Sequence, residues 1–325
     1  MNFLRSQLIE TRKLPYPERS YAGKTIVITG SNTGLGKEAA RHYARLGAKK
    51  LILVVRNIDK GKDAKEDIET TAAPDVDIDV WKLDLASYDD IRAFSSRLEA
   101  ELDRVDIFHA NAGLVSAKYS QVNGVETNIS INVISTFLLV ASVMPKLKAS
   151  AAEFGIRPTL TITSSGSHRH TQFPQKSEPS VFASLNDKNY ANGVHWREQY
   201  PISKLVGIFV ARAIAEEYPA DSYPVTINLI NPGLCHSNLA REAEGIQKFA
   251  FSVTKTALAR STEQGSRTLV HGGSQGAESH GKYLEDCRIT EPSSIVLENK
   301  QVQDLLWSEL QTLLEGIAPG VTRNF

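Results

Sequence analysis

The stretch that decides the fold is residues 24–36, which read KTIVITGSNTGLG. Four β-favouring residues, 25–28, lead directly into a turn with Gly30, Gly34 and Gly36, and good helix formers with apolar spacing follow in 38–46. A strand, a glycine turn and a helix form a unit that binds phosphate, because missing Cβ atoms admit the phosphate and the helix N-terminus offers free N–H groups. Glycines also punctuate ordinary surface loops, so this interpretation needs support from the rest of the chain.

Composition narrows the class of protein. The 325 residues carry 37 basic and 37 acidic side chains, so the formal net charge is zero and gives no sign of nucleic-acid or membrane-surface binding. Cys235 and Cys287 are too few for a disulfide framework and fit a reducing compartment. Residues 1–13 lack the apolar core of a secretory signal, and the apolar run 133–144 is shorter than the roughly 20 residues of a membrane helix. We therefore expect a soluble cytoplasmic protein with no integral membrane segment and no nucleic-acid partner.

Short apolar stretches alternate with helical ones along the chain, which predicts an α/β fold: a doubly wound, mostly parallel sheet with helices on both faces. Residues 1–22 are interpreted as a surface extension, and 23–325 as a single domain. The predicted strands are 25–28, 51–55, 77–83, 105–109, 159–163 and 225–230. The predicted helices are 38–46, 60–71, 88–102, 124–148, one ending at Tyr218, 261–270 and a final one with an apolar stripe over 302–314. Ligands of such sheets bind at the carboxyl ends of the strands.

A second signal is the sequence YPISK at residues 200–204. Positions i and i+4 lie on one face of a helix, so Tyr200 and Lys204 are expected to face the same space. A tyrosine normally loses its proton near pH ~10, and a nearby ammonium lowers that pKa, which makes Tyr200 a candidate acid/base. An isolated Tyr-x3-Lys would be interpreted as a surface pair, but the glycine turn upstream favours the catalytic alternative.

Three polar residues interrupt or end apolar elements. Ser164 and Ser165 follow the predicted strand 159–163 on the ligand side, where they either cap the next segment or hydrogen-bond a substrate oxygen. Asn132 lies in an apolar helical stretch, and a buried amide needs partners, which favours a role in the site over plain packing.

Together these motifs resemble the short-chain dehydrogenase/reductase family. In family order they are Thr29-Gly30 with Gly34 and Gly36, Asp84, Asn111-Ala112-Gly113, Asn132, Ser165, Tyr200 with Lys204, and Pro232-Gly233. The match covers about residues 22–290 and looks most like the retinol-dehydrogenase-like branch, including uncharacterised fungal members. The resemblance implies a Rossmann fold, a nicotinamide cofactor, no metal, and assembly as a homodimer or homotetramer.

The resemblance also implies a catalytic tetrad of Asn132, Ser165, Tyr200 and Lys204. Tyr200 would exchange a proton with the substrate oxygen, which Ser165 orients. Lys204 would hold the cofactor ribose and tune Tyr200, and Asn132 would position a relay water. Asp84 would contact the adenine, and the backbone near Pro232 would face the nicotinamide. The implied cofactor-binding residues are Gly30, Ser31, Asn32, Thr33, Gly34, Leu35, Gly36, Lys37, Arg56, Asp84, Leu85, Asn111, Ala112, Gly113, Asn132, Tyr200, Lys204, Pro232, Gly233 and Ser237.

The choice of NADP(H) over NAD(H) is predicted from Arg56. NAD sites place an acidic residue about 20 positions past the glycines, on the ribose 2′-hydroxyl. Here that position holds Arg56, which would pair with a 2′-phosphate instead, and Lys37 is a second candidate. The alternative for both cations is an ordinary solvated charge.

Two features depart from the family pattern. Ser135 stands where a glycine often lies three residues after the helix asparagine. The segment between Ser165 and Tyr200 is much longer than in minimal members. Its irregular residues 166–198 carry aromatic side chains and are predicted to form part of a lid over the substrate pocket, the alternative being a surface insertion. The aromatic residues are Phe173, Phe182, Tyr190 and Trp196.

The sequence thus predicts an NADP(H)-dependent oxidoreductase that interconverts a carbonyl and an alcohol on a small apolar substrate, such as a secondary metabolite or a retinoid-like compound. One alternative keeps the fold for non-redox chemistry, as a dehydratase, epimerase or cyclisation catalyst, and would consume no cofactor. Another is a regulatory protein that senses NADP(H) without turnover, against which the complete tetrad argues.

Overall fold

The computed structural model describes residues 3–116, 118–188, 198–236 and 258–325. The strands within these ranges are β1 (Thr25–Thr29), β2 (Lys50–Val55), β3 (Asp77–Lys82), β4 (Ile107–Ala110), β5 (Gln121–Val122), β6 (Val125–Glu126), β7 (Thr159–Thr163), β8 (Thr226–Asn231), β9 (Tyr283–Glu285) and β10 (Arg288–Thr290). The helices are α1 (Phe3–Leu8), α2 (Gly34–Arg45), α3 (Ile58–Glu69), α4 (Tyr88–Glu101), α5 (Thr136–Phe154), α6 (Val181–Leu185), α7 (Gln199–Glu217), α8 (Thr262–Gly273), α9 (Ser294–Glu298) and α10 (Lys300–Ile317).

Eight of the described strands form one sheet in the order β10-β9-β8-β7-β4-β1-β2-β3. All neighbours are parallel except β10, which runs antiparallel to β9. The chain winds outward from β1 to β3, then returns to β4 on the other side of β1, so the strand order reverses between β1 and β4. A crevice for ligands opens at such a reversal, at the carboxyl ends of the strands. The predicted doubly wound, mostly parallel fold is confirmed.

Successive side chains of β1 point to opposite faces of the sheet, as in any strand, and pack in two separate apolar layers. Ile26 and Ile28 pack in the layer that contains Ala40 of α2 and Leu269 of α8. Val27 packs in the opposite layer, with side chains of α4, α5 and α7. The sheet is therefore buried on both faces, and its strand ends are left to form the site.

The predicted helix over 124–148 is wrong at its start. Residues 125 and 126 belong to the hairpin of β5 and β6, because Asn123 and Gly124 take positive φ angles of 55° and 76° and reverse the chain. A short turn, Thr127–Ile129, and a π-helical segment, Ser130–Ser135, then precede α5. The apolar helical stretch Thr127–Phe154 is long enough to cross a membrane, but 94% of its most apolar window is buried inside the protein. This burial fits the predicted core helix of a soluble protein.

The interpretation of residues 1–22 as a surface extension is wrong for much of that segment. Ser6, Gln7, Glu10 and Thr11 are buried and hydrogen-bonded, and Leu14 and Tyr21 lie in the apolar interior. The division into one domain with an N-terminal extension stays a prediction. The short pair β9 and β10 was not predicted from the sequence.

Candidate active site

The glycine turn lies between β1 and α2, at the point where the strand order reverses. Gly30 and Gly34 have φ angles of 68° and 62°, a region that other residues rarely adopt. A Cβ atom on Gly36 would lie 2.6 Å from the carbonyl oxygen of Gly30. The helix therefore lies directly against the turn, and only glycine allows this approach at position 36.

Thr29 joins the ends of β1 and β4. Its hydroxyl donates to the carbonyl oxygen of His109 at 3.1 Å and accepts from the N–H groups of Asn111 and Ala112, both at 2.9 Å. Asn111 Nδ2 donates in return to the carbonyl oxygen of Thr29 at 2.8 Å, and Asn111 Oδ1 accepts from Thr163 Oγ1 at 3.2 Å. The Asn111 side chain thus holds three strand ends together, a positioning task that the sequence did not suggest.

The turn has the features that a pyrophosphate group requires. The N-cap residue of α2, Thr33, makes no side-chain capping bond, so the first N–H groups of the helix remain available. The Ser31 hydroxyl is fully buried and has no hydrogen-bond partner among the described residues. An acceptor placed at the turn would satisfy these donors, and the glycine at position 36 lets the first turn of α2 lie against the turn that carries Ser31. The residues present therefore fit a dinucleotide cofactor.

Asn132 lies in the π-helical segment and is 5% exposed. Its Oδ1 accepts from Leu114 N at 3.0 Å, and its Nδ2 donates to Leu114 O at 2.9 Å and to Ser203 Oγ at 3.1 Å. Both amide hydrogens are therefore used by the protein itself. A Cβ atom on Gly113 would lie 3.0 Å from Asn132 Oδ1, so the glycine of the predicted Asn-Ala-Gly motif leaves room for this amide.

Tyr200 and Lys204 lie one turn apart near the start of α7 and face the same space, as their spacing predicts. Lys204 Nζ is 5.8 Å from the centre of the Tyr200 ring and donates to the carbonyl oxygen of Thr163 at 2.8 Å. Ser165 follows β7, and its side chain lies near enough to the Tyr200 hydroxyl to act on the pKa of that hydroxyl. Ser165 Oγ also accepts from Ser167 N at 3.2 Å. The structure thus brings the predicted serine, tyrosine and lysine to one place.

The pKa of Tyr200 is shifted in the direction opposite to the predicted one. Burial raises the pKa of Tyr200 to about 12, although the nearby Ser165 side chain acts in the opposite direction. Burial also lowers the pKa of Lys204 to about 8. The sequence predicted a lowered tyrosine pKa, which is wrong here because desolvation disfavours the phenolate. Tyr200 consequently holds its proton at neutral pH.

Ser203 is a site residue that the sequence analysis missed. Its hydroxyl donates to the carbonyl oxygen of Tyr200 at 2.8 Å and accepts from Asn132 Nδ2. It therefore links the helix that carries Tyr200 to the amide of Asn132. A fully buried serine inside an apolar helix was the available signal.

The two cations predicted to bind the 2′-phosphate differ in their ion pairing. Lys37 Nζ forms an ion pair with Asp67 Oδ2 of α3 at 2.7 Å. Arg56 follows β2, is exposed, and makes no ion pair with the described residues. Asp84 follows β3, and its Oδ1 accepts from Ala86 N at 3.0 Å. Arg56 is thus the more available partner for a phosphate.

The turn after β8 carries Pro232 and Gly233 to the same edge of the sheet. Gly233 has a φ angle of 77°, and its N–H donates to Asn231 Oδ1 at 3.0 Å. The predicted hydroxyl of Ser237 lies outside the described residues.

Two aromatic residues of the predicted lid segment are described by the structure. Phe173 is fully buried and its ring lies 6.2 Å from that of Phe209 in α7. Phe182 of α6 is also buried, and the Glu309 carboxylate of α10 accepts from its N–H at 2.9 Å. Both aromatic residues pack into the apolar interior, and the lid stays a prediction. Tyr190 and Trp196 lie outside the described residues.

Comparisons with known proteins agree with this geometry. A family model described as short chain dehydrogenase matches residues 24–156. The chain is 56% identical to the short chain dehydrogenase/reductase dmxR8 of Cryptosporiopsis sp. (strain 8999), with 100% of both chains covered. It is 39% identical to the short chain dehydrogenase atnD of Emericella nidulans, covering 84% of this chain and 87% of the relative.

Solved structures share the fold at low sequence identity. A short chain dehydrogenase of Shigella flexneri complexed with NADP has a TM-score of 0.58 and 21% identity, covering 84% of this chain and 100% of that one. The Pseudomonas aeruginosa RhlG/NADP active-site complex has a TM-score of 0.61 and 21% identity, covering 83% and 97%.

Proposed function

The chain belongs to the short-chain dehydrogenase/reductase family, and from that premise we propose that it is an NADP(H)-dependent oxidoreductase. Its reaction interconverts a carbonyl and an alcohol on a small apolar substrate. The observation that carries the proposal is the convergence of Ser165, Tyr200 and Lys204 beside the glycine turn. Two observations support the choice of cofactor. Two solved structures with a similar fold contain NADP, and Arg56 is exposed.

NADP(H) is held, in this proposal, by the turn at Gly30–Gly36, by Arg56 at its 2′-phosphate, and by Lys204 at its ribose. When bound, it supplies or takes up a hydride. Tyr200 is protonated at neutral pH, so its hydroxyl is ready to give a proton to a substrate oxygen that gains negative charge. The proximity of the Ser165 side chain to the Tyr200 hydroxyl supports the proposal that both hydroxyls meet the same substrate oxygen.

Asn132 acts as a positioning residue in this scheme. Its amide is committed to Leu114 and Ser203, so it fixes the chain after β4 relative to α7. Any relay water is then held by groups other than its amide hydrogens. A cytoplasmic location also belongs to the proposal, since two cysteines in the whole sequence are too few for a disulfide framework.

The decisive experiment follows NADPH oxidation optically with retinoid-like, steroid, polyketide and simple aromatic carbonyls. NADPH deuterated at the reactive carbon provides the second readout. We expect one NADPH consumed for each alcohol formed, with the deuterium on the former carbonyl carbon. Substrate turnover without net cofactor consumption would instead point to non-redox chemistry. Tight NADPH binding without turnover on the whole panel would point to a sensor.

A further inference from the structure

Two side chains outside the predicted site hold the backbone of residues 232–234, the turn that follows β8. We propose that Gln7 and Arg260 are positioning residues that fix this turn against the nicotinamide end of the cofactor. The inference rests on the proposed function and on the family resemblance, which implies that the backbone near Pro232 faces the nicotinamide. It gives the N-terminal segment, residues 3–14, a part in catalysis that its sequence did not suggest.

Gln7 of α1 pairs with the turn through both ends of its amide. Its Nε2 donates to the carbonyl oxygen of Leu234 at 2.9 Å, and its Oε1 accepts from Leu234 N at 3.3 Å. The same Nε2 donates to the carbonyl oxygen of Leu258 at 3.0 Å. A side chain that satisfies both the N–H and the C=O of one residue acts on the backbone as a neighbouring strand would.

Arg260 holds the turn together with Gln7. Its side chain is fully buried, and Nη1 donates to the carbonyl oxygen of Pro232 at 3.1 Å. Its backbone N–H donates to Leu234 O at 2.8 Å. The guanidinium is paired with Asp286, which follows β9, and Nε donates to Thr11 Oγ1 at 2.7 Å. One buried cation thus connects the turn, the sheet edge and the N-terminal segment.

Gly233 has no room to move toward these two side chains. A Cβ atom built on it would lie 2.6 Å from Gln7 Oε1 and 2.8 Å from Arg260 Nη1. Its N–H is held by Asn231 Oδ1, and its φ angle is positive. The backbone of the turn is therefore fixed on the side that Gln7 and Arg260 occupy.

The orientation of the N-terminal segment supports the inference that its polar side chains serve the turn. A helix placed by apolar burial turns its apolar face inward. Here Ser6 and Gln7 are buried, whereas Phe3, Leu8 and Ile9 are 43%, 48% and 49% exposed. Polar contacts to the turn, rather than burial of its own apolar side chains, hold the segment in place.

The test compares two ligands on the full-length protein. NADPH reaches the turn through its nicotinamide, whereas adenosine 2′,5′-bisphosphate carries only the adenine half of the cofactor. We expect Gln7→Met, which keeps the side-chain length, to raise the dissociation constant of NADPH about tenfold through the lost hydrogen bonds. Affinity for the bisphosphate should stay within about twofold, because the glycine turn is untouched.

Gln303→Met is the matched control. Gln303 of α10 is also buried, and its Oε1 accepts from Arg212 rather than from the turn, so both affinities should stay parental. If Gln7→Met cannot be purified folded, Gln7→Glu keeps an acceptor for Leu234 N and repeats the comparison. Equal weakening of both ligands, or unchanged NADPH affinity in the folded variant, would overturn the inference alone. A parent protein that binds neither ligand would overturn the proposed function, and this inference with it.

Discussion

Gly36 lies so close to Asn111 that a Cβ atom at position 36 would be 2.7 Å from Asn111 Nδ2. That amide is held by its own bond to the carbonyl oxygen of Thr29, and the carbonyl oxygen of Gly30 is nearer still. Neither neighbour can move without disturbing the joined ends of β1 and β4. The first turn of α2 therefore rests directly on the turn before it, which lets its N–H groups approach a phosphate.

Gly36→Ala is expected to separate the helix from the turn. The clash should destabilise the protein by about 1–3 kcal/mol, and the affinity for NADP(H) should fall by at least about tenfold as the N–H groups move. Thermal unfolding and fluorescence titration measure the two effects. Gly316→Ala in α10 is the control, since a Cβ there meets nothing within 4 Å. A Gly36→Ala protein with parental affinity would contradict the proposed phosphate cradle.

Arg56→Asp is expected to reverse the preference between cofactors. An exposed guanidinium pairs with the 2′-phosphate of NADP(H), whereas a carboxylate repels it and accepts from the ribose 2′-hydroxyl of NAD(H). The ratio of kcat/KM for NADPH to that for NADH should fall by about 10²-fold, equivalent to roughly 3 kcal/mol. Lys37→Ala should change the ratio less, because Lys37 is already paired with Asp67. Equal kcat/KM values in the parent would contradict the assignment.

Lys204 should leave a signature in the pH dependence of stability. Burial lowers its pKa to about 8 from the 10.5 of a free lysine, so the folded protein releases this proton at a lower pH than the unfolded chain. Below pH ~8 both states are protonated and the cost of burying the charge is present in full. Between about pH 8 and 10.5 only the unfolded chain keeps the proton, so the free energy of unfolding rises with pH.

The comparison with Lys204→Met isolates that contribution. The stability of the parent should rise relative to the variant by roughly 1–3 kcal/mol across this interval. Urea unfolding at a series of pH values measures the difference. Parallel curves for the two proteins would mean that the lysine pKa is not lowered by burial.

The parts of the fold that the sequence predicted are those encoded in neighbouring residues. The strand, turn and helix around Gly30–Gly36 are contiguous, and Tyr200 and Lys204 are related by one helical turn. Local periodicity fixes both. The contact between Ser165 and Tyr200 is not of this kind, because it depends on how β7 and α7 pack, and here the family pattern supplied the prediction.

The features that were missed depend on tertiary contacts. Strands β9 and β10 contain three residues each, too few to show a period. Phe173 looked like part of an irregular polar segment, yet it is buried, with its ring 6.2 Å from that of Phe209 in α7. Gln7 lies in a segment whose apolar residues are exposed. The hydrophobic pattern therefore gave no indication that the polar side of this segment is the buried one.

Tyr200→Phe is expected to lower kcat by at least about 10²–10⁴-fold, because it removes the proton donor while keeping nearly all of the ring volume. Lys204→Ala should lower kcat and also weaken NADPH binding, and Lys204→Arg should recover little, since a planar guanidinium does not replace a compact ammonium. Steady-state kcat with NADPH and fluorescence titration of the cofactor provide the two measurements.

Tyr223→Phe is the matched control for the lost hydroxyl. Tyr223 is also buried, and its hydroxyl has no hydrogen-bond partner among the described residues. Its removal should leave kcat and NADPH affinity at parental values. The loss of the Tyr200 hydroxyl should leave NADPH affinity nearly parental, because the glycine turn and Arg56 are unchanged. Near-parental turnover in Tyr200→Phe with normal NADPH affinity would mean that another group gives the proton. The roles assigned to Ser165 and Lys204 depend on Tyr200 as the donor, so they would then be wrong as well.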